Sequence, residues 1–410
     1  MFSETFVLQG EEDVRVLAIS YAMPPALYPR AIQVARTLDH LNRRGWRITV
    51  ATPAIVGANP DPRLAAWYRD RFQRWEIPLE HRSWRRAAVS AITRRWREEP
   101  PHDLLITFAQ PWSDHLIGLD LHRRHPTVPW IAHFSDPWIG SPYEAHVHGW
   151  RRWRERWRER AVVRNADALV FVTAETVALT MNKYPTPWRD KAAVVPHGFE
   201  RDFLATLPPP APSSDRTVLR LVYAGSFYQQ RVPQGLFQAL AALRQRSGLG
   251  IRLELDVVGP INGTVREQAR IFGIRDLVHF TDAMDYHSSL SVQAAADVLV
   301  LIDAPFAPSV FLPSKLVDYL MLEKPILGLT PPDGAAAALL RRLEHPVVAP
   351  DDAAGIEAAL LALIERRTAG GGAHPELVAG YDIARTTDRL EAVMLRVLHK
   401  PRKDSSACRP

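Results

Sequence analysis

The sequence predicts an α/β chain built from two parallel-sheet domains in tandem, and three observations carry that prediction. Short apolar runs alternate with amphipathic stretches along most of the 410 residues. The runs are apolar on both faces, which suits strands covered by helices on either side and not a sheet with one wet face. The rhythm breaks once, at ATLPPPAPSSDRT (205–217), where prolines lack amide donors and Ser/Asp favour turns, and then restarts. At roughly 100–200 residues per domain the length accommodates two or three domains.

In the first half, VRVLAIS (14–20) reads as a strand, RAIQVARTLDHLNRR (30–44) as a helix closed by Gly45, and WRITVAT (46–52) as the next strand. DLLITFA (103–109), VPWIAHF (128–134) and ALVFVT (168–173) continue the strands, with helices near 113–124, 150–164 and 174–183. Past the break come strands at 219–225, 251–259, 277–280, 297–303 and 325–330, separated by helices at 234–247, 263–272, 287–296 and 314–322. The resulting division is a first domain over 1–204, a linker over 205–217, a second domain over 218–374, a helix at 375–398 able to cross back to the first domain, and a disordered tail at 399–410. Two such sheets, each binding ligands beyond the carboxyl ends of its strands, make the cleft between them the expected site.

Composition removes several function classes. With 47% hydrophobic and 23% charged residues the balance is that of an ordinary soluble protein. No run reaches the ~18 apolar residues of a spanning helix. The opening MFSETFVLQGEED is acidic where a signal peptide is basic and then apolar, so a cytoplasmic protein is expected. A single cysteine, Cys408, excludes an internal disulfide framework and a cysteine metal cluster. There is no D-x-D, so no metal is called for, and the H-x-H pair His146 and His148 has no third ligand at motif spacing.

Charge is uneven. Residues 1–200 hold 28 Lys+Arg against 22 Asp+Glu, the remainder 23 against 23, and all 12 Trp precede residue 190. Such a basic, aromatic half predicts contact with phosphates or an anionic membrane surface. Trp150, Trp153 and Trp157 form one stripe among arginines, as in an interfacial helix. No recognition motif accompanies the charge, so no nucleic acid is expected.

The loop after the first strand, YAMPPALYPRA (21–31), has no glycine and fails as a dinucleotide fingerprint, but Arg30 opens the following helix, where an anion is welcome. HFSDPW (133–138) brings His133, Asp136 and Trp138 to a strand end, the carboxylate suited to orienting a hydroxyl. In YAGSFYQQRVPQG (223–235), Gly225 permits close backbone approach and Arg231 precedes a helix, an arrangement fit for a diphosphate. SVFLPSKLVDYLMLEKPILG (309–328) is the most specific: Pro313 suits a first helical turn, leaving unpaired amides near Ser314 and Lys315 with an ammonium beside them, and Asp318 shares their face, available to a ribose diol.

On these residues the chain resembles the retaining, nucleotide-sugar-dependent glycosyltransferases of family 4, which have the GT-B fold, across nearly all of 14–398. VYAGSFYQQR resembles the family's G-R-x-x-x-x-K segment, with Arg231 at the diphosphate-binding lysine and Ser226 in place of its arginine. VVPHGFE carries His197 where the family usually has asparagine, and LVDYLMLEKPILG puts Asp318 at the second glutamate of E-x7-E, with Val310 at the first. The L-P-S-K and HFSDPW segments look like a branch handling surface-polysaccharide sugars.

The resemblance implies two Rossmann-like domains facing across a cleft and metal-independent, retaining transfer of a sugar from a nucleotide-diphosphate donor to a glycan or lipid-linked acceptor, with no resident cofactor. Asp136, Arg231 and Lys315 are then the catalytic candidates. Gly225, Ser226, Arg231, Pro313, Ser314, Lys315 and Asp318 face the donor, and Arg30, His133 and Trp138 the acceptor. Peripheral attachment to the inner face of the plasma membrane is expected through the first domain. Two alternatives stay open: a non-catalytic nucleotide-sugar-binding scaffold, and a nucleotide-sugar epimerase of the same fold.

Overall fold

A computed structural model of the chain describes residues 14–54, 60–79, 83–141, 148–208, 217–227, 231–261, 263–306, 309–366 and 374–400. His146, Cys408, the opening segment, most of the proline-rich linker and most of the tail lie outside them.

The first half runs β1 (Arg15–Ile19), α1 (Pro29–Arg43), β2 (Arg47–Pro53), α2 (Pro62–Trp67), β3 (Gln73–Ile77), α3 (Trp84–Glu98), β4 (Leu104–Ala109), α4 (Ser113–Arg124), β5 (Trp130–Phe134), α5 (Gly149–Asn165), β6 (Ala168–Phe171), α6 (Ala174–Met181), α7 (Thr186–Arg189), β7 (Ala192–Val194) and α8 (Arg201–Leu204). The second runs β8 (Val218–Ala224), α9 (Gln234–Gln245), β9 (Arg252–Val258), α10 (Gly263–Ile271), β10 (Val278–Thr281), α11 (Tyr286–Ala294), β11 (Val298–Ile302), α12 (Ser314–Leu322), β12 (Ile326–Leu329), α13 (Ala335–Arg342), β13 (Val347–Val348), α14 (Ala353–Arg366), α15 (Pro375–Ala379) and α16 (Ile383–Leu398).

Both sheets are parallel, and their orders are β3-β2-β1-β4-β5-β6-β7 and β10-β9-β8-β11-β12-β13. Each therefore reverses direction between its first and fourth strands, the Rossmann arrangement that opens a crevice at the carboxyl ends of those strands. The central strands β4, β5 and β11 are buried along their whole length, which is why they read as uninterrupted apolar runs. Pro29 opens α1, and Gly45, at φ +99°, closes it with its amide on the Asn42 carbonyl.

The helix expected at 375–398 is two helices. The chain breaks at Gly380–Asp382, where Asp382 caps α16 by accepting from the Ala384 amide, and Phe199 bonds to the backbone of Tyr381 and Ile383. α16 then packs on α1: Leu390, Val393 and Met394 join one apolar cluster with Leu38, Leu41 and Trp46, while Glu391 accepts from Trp46 and pairs with Arg44. The same cluster continues through Phe203 and Tyr286 into Val317 and Leu320, so the two sheet domains share apolar packing where α1 meets α12 and α2 meets α11.

Candidate functional site

The carboxyl ends of β8, β9 and β11 and the start of α12 come together. Gly225 ends β8 at φ +143° and Gly259 ends β9 at φ +144°; a Cβ on Gly259 would collide with the Gly225 carbonyl, and one on Gly225 with Lys315 Nζ. Conformation favours glycine at both places, and at Gly259 the neighbouring backbone leaves no space for a side chain either.

Lys315 stands in the first turn of α12. Pro313 precedes the helix, no side chain caps it, and no acid lies in its first turn. The first helical bond is donated by Leu316 to Pro313, which leaves the amides of Ser314 and Lys315 at the positive end of the helix. Lys315 Nζ is buried, has no hydrogen-bond partner among the described residues, and sits 4.2 Å from the centre of the Tyr223 ring. Burial first, and Arg231 second, hold this ammonium well below the usual lysine range. Arg231 donates to Asp303 at 3.0 Å in a pair whose side chains are 12% and 1% exposed. Asp303 also accepts from Ser309 and from the Ala304 amide. Lys315 and Arg231 thus share one buried acid, and an incoming anion would favour the charged form of the lysine. Asp303 escaped the sequence reading, although an acid ending the apolar run VLVLI was its visible sign.

Asp318 does not join this pocket. The Lys315–Asp318 pairing that their spacing suggests is absent; Asp318 turns to the first domain and accepts from Arg36 at 3.0 Å, with side-chain exposures of 1% for Arg36 and 13% for Asp318. Arg36 also donates to the Gly198 carbonyl and to the Tyr286 hydroxyl. Burial and the neighbouring Asp318 outweigh Arg36 in holding the Tyr286 phenol well above its ordinary range, so it keeps the proton with which it bonds Asp318. The carboxylate expected to face a ribose is thus half committed to an interdomain ion pair. Val310, at the place of the missing glutamate, likewise serves the interface, its carbonyl accepting from Thr173 and Thr176 at 2.9 and 3.1 Å.

On the first domain, Arg30, His133 and Asp136 do come together at the start of α1 and the end of β5. Arg30 donates to the His133 carbonyl at 3.3 Å, and Asp136 accepts from Ser135 and Gln110 at 3.4 Å each. Burial raises the Asp136 carboxyl above its usual range against the opposing pull of Arg30. His197, from the loop after β7, is a further neighbour: burial, then Arg30 and Arg36, push its imidazole down to about 3. Trp138 corrects the reading made from sequence. It is 1% exposed, stacked on Trp112 at 4.8 Å, and its N–H goes to Glu155, so it is a core side chain unavailable to an acceptor.

Residues 31–198 match the family model of the glycosyl transferase 4-like domain. No curated protein sequence matches the chain. Among solved structures it is similar to a glycosyltransferase from Rickettsia africae ESF-5, with a TM-score of 0.67 at 12% identity over 95% of this chain and 100% of that one. WaaG, a glycosyltransferase involved in lipopolysaccharide biosynthesis, superposes with a TM-score of 0.61 at 17% identity, covering 94% of this chain and 100% of WaaG. A Listeria monocytogenes structure bearing the name of a UDP-N-acetylglucosamine 2-epimerase gives 0.62 at 13% identity, with coverages of 95% and 98%. The chain therefore has the GT-B fold, with a glycosyl transferase 4-like domain over residues 31–198.

Proposed function

We propose that the protein is a retaining glycosyltransferase that moves a sugar from a nucleotide-diphosphate donor to a glycan or lipid-linked acceptor in surface-polysaccharide or glycoconjugate synthesis. The observation that carries this reading is the buried Lys315 ammonium, without a hydrogen-bond partner among the described residues, held against Gly225 at the open tip of α12. Burial disfavours the charge on this amine, and a bound diphosphate would favour it again.

In the proposed step the acceptor oxygen bonds to the anomeric carbon on the face that the diphosphate leaves. The bond from that carbon to the phosphate oxygen breaks, and the acceptor's hydroxyl proton passes to the departing phosphate. Charge grows on the leaving group, so Lys315, Arg231 and the amides of Ser314 and Lys315 stabilise the transition state more than the bound donor. These groups supply the positive charge without a metal being assigned a role. Gly225 and Ser226 line the approach and Pro313 sets the helix tip. Asp318 reaches a ribose only with the oxygen it does not give to Arg36. Asp136 orients the acceptor.

The test is nucleotide release over a panel of sugar donors, with and without glycan and lipid-linked acceptors. Acceptor-dependent release with the donor's anomeric configuration kept in the product is expected. Nucleotide binding with no turnover on any donor would replace this reading by the scaffold, and an epimerised nucleotide sugar by the epimerase.

Attachment to the inner face of the plasma membrane belongs to the same proposal. No helix among the described residues is long and apolar enough to cross a membrane. Half the tryptophans of the first half are buried, but Trp150, Trp153 and Trp157 on α5 are 65%, 69% and 56% exposed. Arg151 and Arg154 lie over the Trp150 ring, and α5 carries seven arginines against two glutamates, of which Glu159 is buried against Tyr184 and Lys183. Exposed indoles between arginines suit the headgroup level of an anionic bilayer, where each arginine near the surface contributes about 1 kcal/mol. Sedimentation with phosphatidylglycerol vesicles is expected to carry the protein down and phosphatidylcholine vesicles to leave most of it in solution. Trp150→Ser, Trp153→Ser and Trp157→Ser combined should weaken binding at least about tenfold; unchanged sedimentation would exclude α5 as the contact.

A further inference from the structure

The first domain contains a second buried cation that the donor chemistry leaves unused. Arg30 follows Pro29 in the first turn of α1, a helix with no side-chain cap and no acid in that turn. A guanidinium has five N–H donors in a planar fork. Among the described residues its one side-chain hydrogen bond is a long one from Nη2 to the His133 carbonyl, and Nε and Nη1 are buried without partners. The nearest carboxylates do not satisfy them. Asp114 is fully buried and accepts from the Tyr21 amide and the Trp84 indole, at 2.8 and 2.6 Å. Asp136 is held by Ser135 and Gln110. Burial pushes Asp114 up to about 7, so its negative charge is only partly developed near neutral pH.

Two further groups converge on the same place. His133 is 7% exposed, and its Nδ1 is also buried and unpartnered. Burial, then Arg30, His197 and His115, keep that imidazole well below its usual range and therefore neutral. His197 interacts electrostatically with both Arg30 and Arg36, and Arg36 holds Asp318 of α12, so the cluster lies on the side of the first domain that meets the second. An unmet guanidinium fork, an open helix start and two neutral imidazoles together lack one thing, an oxyanion able to take two parallel N–H bonds.

We infer that the start of α1, with Arg30, His133 and His197, is an anion subsite separate from that at Lys315, and that it receives a phosphate or carboxylate carried by the acceptor. Its assignment to the acceptor rests on the glycosyltransferase reading; the anion site itself does not. A neutral glycan leaves the fork unsatisfied, whereas an acceptor bearing a phosphoester or a uronic acid near its reacting hydroxyl satisfies it. Specificity of this kind is large, because the rejected ligand leaves buried donors unpaired.

Calorimetric titration of the full chain with inorganic pyrophosphate, glucuronate and glucose tests the site without any turnover. Wild type is expected to bind two pyrophosphates and Arg30→Gln one, with glucose binding neither protein. If the Lys315 reading is the one that fails, wild type binds one pyrophosphate and Arg30→Gln none. Glucuronate binding lost in Arg30→Gln would identify a carboxylate as well as a phosphate as a fitting group. Arg30→Lys keeps the charge but not the fork and should bind at least about tenfold more weakly; it decides the matter if Arg30→Gln does not fold, as judged by circular dichroism. Equal stoichiometry and affinity in wild type and the Arg30 variants, or a wild type that binds neither anion, overturns the inference.

Discussion

Lys315→Ala is expected to lower kcat for nucleotide release by about two to three orders of magnitude. The size follows from the cost of removing one pre-aimed donor from a developing anion, about 2.7–4 kcal/mol. The loss should fall more on kcat than on KM, because the leaving diphosphate gains charge only as the glycosidic bond breaks. Arg231→Ala should cost less: Arg231 already spends one bond on Asp303, and its loss leaves that buried acid beside Lys315, a replacement ion pair. The buried ammonium adds a pH signature. In the free protein burial and Arg231 depress its pKa; a bound diphosphate raises it again. At pH values above the depressed pKa, binding therefore takes up a proton, and affinity falls as pH rises. Titration of a nucleoside diphosphate in buffers of different ionisation heat measures that uptake, and Lys315→Ala should abolish it. A variant with wild-type kcat and the same proton uptake would remove Lys315 from the site.

Arg36→Met is expected to destabilise the protein by about 3–5 kcal/mol, the cost of leaving one member of a buried ion pair without its partner. Asp318 would remain mostly buried with only Tyr286 to bond it, and the Gly198 carbonyl would lose its donor. Arg36→Met combined with Asp318→Leu should recover at least half of the loss, since no orphaned charge remains. Urea midpoints of the two variants decide the point: a double variant no more stable than Arg36→Met shows that the pair's charge is not what matters. The single variant should also weaken nucleotide binding, because the pair joins α1 to the helix that carries Lys315.

Local signals carried most of the fold. α12 was readable to the residue because Pro313 marks its start and an apolar strand follows it. Strand β3, QRWEI, was missed because its charges mask alternation, and β7 because three residues carry no period. The alanine-rich stretch holding α13 and α14 offered too little polar contrast to be read. Of the candidate residues, Gly225, Arg231 and Lys315 stand where strand ends and helix starts announce themselves in sequence. The Arg36–Asp318 pair was not, since its members stand 282 positions apart and nothing local links them. Trp138 misled because an aromatic in a turn looks like a binding group until its stacking partner Trp112 is seen.

The last helix of the chain, α16, fastens to the first helical layer through Glu391, Leu390 and Met394. Order of synthesis and order of packing therefore differ: the amino-terminal half leaves the ribosome early, yet Trp46 and Leu41 lack part of their cover until α16 has emerged. A chain cut before α16 would present that bare apolar strip to chaperones and proteases.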